Sequence, residues 1–179
     1  VMQPTDTPRL AWALTGSGHY LRECLELVEA RPDVDLFLSR AAAEVLVMYG
    51  VDVKRLRERI TCYRDTAASA PQVGRFYQGR YARLVIAPAT SNTVAKMVCG
   101  ISDTLVTNIY AQAGKCRVPS IVFACDTAPA METQAPGGQV MVYPRAIDLE
   151  NVERLRGFEY TLVVDRFDAL VAALANEAG

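Results

Sequence analysis

The sequence predicts an α/β protein, a three-layer sandwich in which a parallel sheet is covered by helices on both faces. Two observations carry that expectation. Short apolar strands alternate with helical patterns along the whole chain, the order that a doubly wound sheet requires. Two of those strands, "RLVIAP" and "SIVFAC", are near-continuous β-branched and apolar runs, the composition of strands buried on both sides.

The elements follow in order. "RLAWALTGSG" gives a strand over Leu10 to Leu14 that stops at a turn of small residues. "HYLRECLELVEA" then places Leu21, Leu25 and Val28 at helical spacing before Pro32 closes the helix. "VDLFLS" is a second strand, followed by the helical "RAAAEVLVMYG", the charged helix "DVKRLRER" and a third short strand in "ITCYRD". "TAASAPQVGRFYQGR" is small and polar and reads as a loop. Helical segments around "TVAKMVCG" and "SDTLVTNIYAQAG" supply the crossover between the two continuous strands. Beyond them stand "QVMVYPR", a short helix from "DLENVERL", a strand "YTLVV" and a closing helix "DALVAALANEA". Two long loops, about residues 65 to 80 and 126 to 139, are candidates for functional roles.

A chain of 179 residues, 51% of them apolar, suits one domain with a sizeable core. Its 19 basic and 20 acidic residues leave a formal charge of -1, so no broad field favours nucleic acid or an anionic membrane. An anionic ligand must therefore be held by a local site. No apolar run approaches the roughly 20 residues of a membrane span, and "VMQPTDTPR" lacks the basic and apolar regions of an export signal. A cytoplasmic location is expected. The five cysteines are widely spaced and His19 is the single histidine, so no metal site is expected and most of the cysteines should be buried free thiols.

Three polar turns close strands at one edge of the expected sheet. Thr15, Gly16, Ser17 and Gly18 form the first; glycines there let a backbone approach a ligand, and helix N–H groups point at an anion. The same four residues also make an ordinary tight turn with a helix cap. They are too short for GxGxxG and lack the lysine of a P-loop. Ser39 and Arg40 form the second turn, and a hydroxyl beside a guanidinium suits a phosphate monoester. A serine cap with a solvated arginine is the plainer alternative.

The third is "PATSNT", in which Ser91 or Asn92 can cap the next helix and Thr93 lies in its first turn. Ser102, Asp103 and Thr104 then open another helix beyond Gly100. Capping alone needs one such residue at each helix. A polyol chain such as ribityl needs several short donors and acceptors close together, which this arrangement can offer. Lys96, one turn into the helix, is placed to brace a neighbouring loop or subunit.

"APATSNTVAKMVCGISDTLVTN" resembles the "PASANT" signature and following "GIxDxL" segment of the homo-oligomeric flavin-containing cysteine decarboxylase superfamily. With "TGSG" and the serine that ends the second strand, the resemblance covers nearly the whole chain in order. "NTVAK", "DTLVTN" and "IDLENVERL" are together similar to the reductase branch, the archaeal-type flavoproteins and dihydromethanopterin reductases. The resemblance implies a Rossmann-like, flavodoxin-like fold, FMN held between protomers, and a homo-oligomer built from trimers. It implies cofactor contacts from Gly16, Ser17, Ser39, the turn Ala89, Thr90, Ser91, Asn92 and Thr93, and the segment Ser102 to Thr104. Thr15, Gly18 and Arg40 join them on the reading of their turns.

Two departures bear on the branch. Decarboxylases of the superfamily carry a histidine some fourteen positions before the "PASANT" proline, where this chain has "VGRFYQGR" with Gly74 near the matching place. Their "PxMNxxMW" segment is replaced by "PAMETQAP", so Glu132 stands for the asparagine. The resemblance therefore implies an FMN-dependent oxidoreductase reducing 7,8-dihydromethanopterin to its tetrahydro form by hydride transfer. The electron donor would be a nicotinamide cofactor or a redox protein. Phe76, Tyr77, Met131 and Glu132 are the candidate contacts to a pterin substrate, with Phe76 and Tyr77 equally suited to anchor a subunit interface. Glu132, Tyr110 and His19 are the candidate proton donors. An FMN-dependent cysteine-type decarboxylase and an electron-transfer flavoprotein serving a redox protein are the alternatives.

Overall fold

A computed structural model of the chain describes residues 7–176. Most of the N-terminal stretch read for an export signal, and the last two residues of the expected closing helix, lie outside the described residues. The elements are β1 (Arg9–Leu14), α1 (Leu21–Glu29), β2 (Val34–Leu38), α2 (Arg40–Met48), α3 (Val53–Arg59), β3 (Thr61–Arg64), α4 (Gly74–Tyr77), β4 (Tyr81–Ala89), α5 (Ser91–Val98), α6 (Leu105–Lys115), β5 (Ser120–Ala124), β6 (Met131–Ala135), β7 (Gly138–Val142), α7 (Ala146–Arg156), β8 (Thr161–Val164) and α8 (Phe167–Ala175).

The strand order is β3-β2-β1-β4-β5-β8 in a six-stranded sheet, and every neighbouring pair is parallel. The chain winds outward from β1 to β3 and then crosses back to β4. β1 and β4 thus flank the switch point, where a doubly wound sheet opens a crevice at its carboxyl edge. Strand residues alternate between two cores, as the two-residue period demands. Ala11, Ala13, Leu84, Ile86 and Val122 pack under α6 and α7. Trp12, Leu14, Leu36, Val85 and Phe123 pack under α1, α2 and α8. The Trp12 indole N–H is satisfied inside that core by the Ala87 carbonyl at 2.9 Å.

Both expected long loops contain structure. The segment 65–80 includes a 3-10 turn, Pro71–Val73, and α4. Phe76 drives this ordering: it is 2% exposed and its ring packs 4.8 Å from that of Tyr81. The segment 126–139 includes β6, which pairs antiparallel with β7 from Met131↔Val142 to Ala135↔Gly138. The pair forms a separate hairpin, turning through Pro136 and Gly137 into Gly138 at φ 128, a backbone conformation that favours glycine. The five cysteines are free thiols, but only Cys24 and Cys125 are buried, and Cys99 is exposed.

The amino edge of the sheet is closed by a buried carboxylate. Asp35 of β2 is 0% exposed. It accepts from Arg9 Nε at 2.7 Å and from the Tyr81 hydroxyl at 2.8 Å, so it ties β1, β2 and β4 together. Burial, with the carboxylate as hydrogen-bond partner, pushes the Tyr81 phenol well above its ordinary range. Asp35→Ala should therefore lower the unfolding free energy by about 3 kcal/mol, the usual cost of orphaning partners of a buried charge. Urea denaturation measures this, and a loss below about 1 kcal/mol would show that the cluster does not hold the edge.

Candidate functional site

The carboxyl edge at the switch point is organised by one hydroxyl. Thr15, 1% exposed at the end of β1, donates from Oγ1 to the Pro88 carbonyl at 2.8 Å. The same oxygen accepts from the Thr90 backbone N–H at 2.9 Å. The exits of β1 and β4 are thereby locked side by side. The glycines of this turn answer to protein packing as well as to any ligand. A Cβ on Gly16 would come within 2.5 Å of the Ala41 Cβ, and one on Gly18 would overlap the Tyr49 hydroxyl and the Gln134 carbonyl.

Of the helices that start at this edge, α2, α5 and α6 have a hydroxyl cap. Ser39 caps α2, accepting from the Ala42 N–H at 3.0 Å. Thr90 caps α5, accepting from the Thr93 N–H at 3.3 Å. Thr104 caps α6 in a reciprocal box with Thr107, whose Oγ1 accepts from the Thr104 N–H at 3.0 Å. The expected α5 cap, Ser91 or Asn92, is thus displaced by one residue, because Thr90 is still extended (φ -67, ψ 155) when the helix begins. All three caps line one cavity of about 530 Å³. Helix N-termini carry partial positive charge and unpaired N–H groups, so their convergence suits an anion.

Thr15, Gly16, Arg40, Asn92, Thr93 and Asp103 also face this cavity. Arg40 is steadied by donating from Nε to the Asp65 carbonyl at 3.2 Å. Lys96 Nζ bonds both Asp103 oxygens at 2.8 Å, bracing the α5–α6 connection as its position foretold. That hydrogen bond holds the Asp103 carboxyl below its usual range. Asn92 is exposed and, among the described residues, has no hydrogen-bond partner for its side chain.

The remaining expected contacts are used otherwise. Ser17 Oγ accepts from the His19 N–H at 3.1 Å and from the Cys125 thiol at 3.2 Å. Ala89 is buried in β4, its carbonyl accepting from the Cys125 N–H at 3.0 Å. The Ser91 hydroxyl donates to Asp126. Ser102 is exposed in the α5–α6 connection and lies outside the cavity. Gly18 faces a second cavity, of about 340 Å³, between the start of α1 and the β6–β7 hairpin.

That second cavity gathers His19 and Glu132. His19 Nδ1 lies 3.0 Å from Thr133 Oγ1, and the Tyr49 hydroxyl donates to the Gln134 carbonyl at 2.9 Å. These bonds fasten β6 to the body. Burial lowers the His19 pKa, against the opposing pull of Asp126 and Glu23.

Three other candidates fall outside both cavities, and Phe76 belongs to the core. Tyr77 is 69% exposed on α4 and Met131 is half-buried in β6. Tyr110 stands six residues beyond the α6 cap, about 9 Å down the helix. Its hydroxyl bonds Thr161 Oγ1 at 2.9 Å at the amino edge of the sheet, so it is removed as a proton donor to this site.

Sequence reasoning missed Asp65, which lines the first cavity and directly follows β3 at the carboxyl edge, a position that could have marked it. It also missed Tyr49, Arg22 and Gln139 of the second cavity, which only tertiary folding brings together.

The chain is 39% identical over 166 residues to an uncharacterised protein of Methanocaldococcus jannaschii, covering 88% of this chain and 89% of that one. It is 40% identical over 141 residues to the dihydromethanopterin reductase (acceptor) of Methanosarcina mazei, covering 72% of this chain but 59% of the reductase. The chain therefore spans less than two thirds of that reductase. It superposes on the crystal structure of Burkholderia xenovorans DmrB in complex with FMN, described as a cubic protein cage for redox transfer, with a TM-score of 0.88 and 55% identity over 97% of this chain and 96% of that one. The pattern that defines the Flavoprotein family matches residues 2–178, and the chain belongs to that family.

Proposed function

We propose that the protein is an FMN-dependent oxidoreductase that reduces 7,8-dihydromethanopterin to the tetrahydro form. The observation that carries the cofactor reading is the convergence of the Ser39, Thr90 and Thr104 helix starts on one cavity, beside an asparagine whose side chain has no hydrogen-bond partner among the described residues. One phosphate and a polyol chain fit this set. No adenine dinucleotide fingerprint accompanies it in the sequence. The DmrB complex with FMN and the reductase relative support the same reading.

When bound, FMN supplies the hydride chemistry. The chain's own residues hold and orient. The N-terminal N–H groups of α2, α5 and α6 and the Arg40 guanidinium neutralise a phosphate. The Lys96 to Asp103 pair keeps the α5–α6 connection in place. His19, its pKa lowered by burial and its Nδ1 engaged by Thr133, has Nε2 left to exchange a proton.

The decarboxylase alternative is less well supported, because Gly74 opens α4 where that chemistry needs a histidine. The physiological reductant is a nicotinamide cofactor or a redox protein. Exposed Val140, Met141, Tyr143 and Ile147 lie on or just after a two-stranded hairpin, an element that needs cover to be stable. They supply an apolar face for a homo-oligomer built from trimers.

Mixing the anaerobically reduced protein with 7,8-dihydromethanopterin should reoxidise the flavin and yield one equivalent of the tetrahydro product. Reoxidation by a redox protein alone, with no pterin turnover, would instead favour the electron-transfer flavoprotein. Asn92→Ala should weaken FMN binding roughly tenfold to a hundredfold, measured by titrating apo-protein with FMN. Its apo stability should change by no more than about 0.5 kcal/mol, because Thr90 rather than Asn92 is the cap. In solution the mass should be a multiple of three chains, and a monomer that keeps its flavin would contradict the assembly.

A further inference from the structure

The second cavity has a pattern of polar groups that selects its occupant. Glu132 projects a carboxylate into it from β6. With its NH2 turned toward that carboxylate, Gln139 donates to Oε1 at 2.7 Å and Oε2 at 3.2 Å. One Gln139 nitrogen thus rests against both carboxylate oxygens, and a ligand that takes the pair displaces it. Arg22 is anchored by donating from one terminal nitrogen to the Tyr49 carbonyl at 3.0 Å, and its guanidinium retains other N–H groups. An acceptor pair and a donor are thus presented to the same space.

The cavity also has a flat wall. Tyr20 adopts φ 51 and ψ 28, a left-handed backbone that is unusual for a bulky side chain. Its ring stacks on Phe167 with centroids 5.2 Å apart and an interplanar angle of 5°, and it lines the cavity. At about 340 Å³ the space is at the lower end for small-molecule pockets, enough for a bicyclic heterocycle.

We infer that this cavity reads the 2-amino-4-oxo edge of a pterin, with the Glu132 carboxylate accepting from the 2-amino group and N3–H together. Arg22 donates toward the 4-oxo oxygen and Tyr20 offers a stacking face. The inference rests on the pterin-reductase reading and names its specificity residue. The same carboxylate repels a substrate that presents a carboxylate of its own, and Glu23 in the cavity wall adds to that repulsion. Glu132 therefore selects for an amino-amide edge and against an acidic substrate. The cavity shares the β1–α1 turn with the cofactor cavity, Gly16 facing one and Gly18 the other.

The test uses the flavin-loaded protein and two fluorescent probes, pterin itself and 4-oxopteridine, which lacks the 2-amino group. The wild type should bind pterin at least tenfold more tightly than 4-oxopteridine, and Glu132→Gln should erase that preference by weakening pterin more than 4-oxopteridine, which keeps only the N3–H contact. Glu132 is exposed, so the variant should keep its flavin and melting temperature, and both are measured alongside. A preference that survives Glu132→Gln, or equal binding of the two probes by the wild type, overturns the inference. Pterin reduction that persists with an unaltered preference sinks the specificity assignment and leaves the reductase reading intact. A Glu132-dependent preference without any pterin reduction supports the recognition and sinks the reductase reading.

Discussion

Everything at the carboxyl edge depends on the Thr15 hydroxyl, which donates to the Pro88 carbonyl and accepts from the Thr90 N–H. In a doubly wound sheet the strands on either side of the switch point send their connections in opposite directions, and the β1–β4 ladder runs only as far as Ala13↔Ile86. Beyond it the Thr15 N–H, 3.4 Å from the Pro88 carbonyl, and the buried Thr15 hydroxyl with both roles filled hold the two exits together. From the position of that hydroxyl follow the start of α5 at Thr90 and the shape of the turn that carries Gly16 and Gly18. A valine would match the threonine in shape but leave the Thr90 N–H without this partner in a partly buried setting, which is costly.

The sheet was legible in the sequence because its central strands are buried on both faces, so "RLVIA" and "SIVFA" could be nothing but interior strands. The hairpin was not. "METQA" alternates half-buried and exposed positions, so it lacks an apolar run, and its pairing partner is fixed only by the turn through Pro136 and Gly137. The cluster of polar residues from Thr90 to Asn108 was read as ligand contacts, and the structure spends many of them on the helix starts themselves. Thr90 pairs with Thr93, Thr104 with Thr107, and Asn108 donates back to the Thr104 carbonyl at 2.9 Å. Local satisfaction of a helix start consumes most of these groups, and Asn92 stands out because it escapes that use.

Tyr110 and Phe76 fail for a different reason. Their residue types suited chemistry, but depth along α6 puts one at the amino edge, and the demand for apolar volume beside Tyr81 draws the other into the core. Neither effect has a signature within a few residues of sequence. Conversely, Tyr49 closes α2 and has no neighbour in sequence that hints at the hairpin 85 residues away, to which its hydroxyl donates. Sequence patterns show which side chains want partners, whereas the topology decides which partners they meet.

The β6–β7 hairpin pairs with itself and not with the main sheet, and it is fastened to the body through His19 and Tyr49. Its residues can therefore be exchanged without disturbing a single ladder bond of the six-stranded sheet. The cradle formed by three helix starts has no such liberty, since each of its caps also ends a strand or opens a helix. The architecture thus separates a constrained half from a replaceable one. Lineages of this fold can diversify by rewriting a dozen residues of hairpin while inheriting the same cradle unchanged.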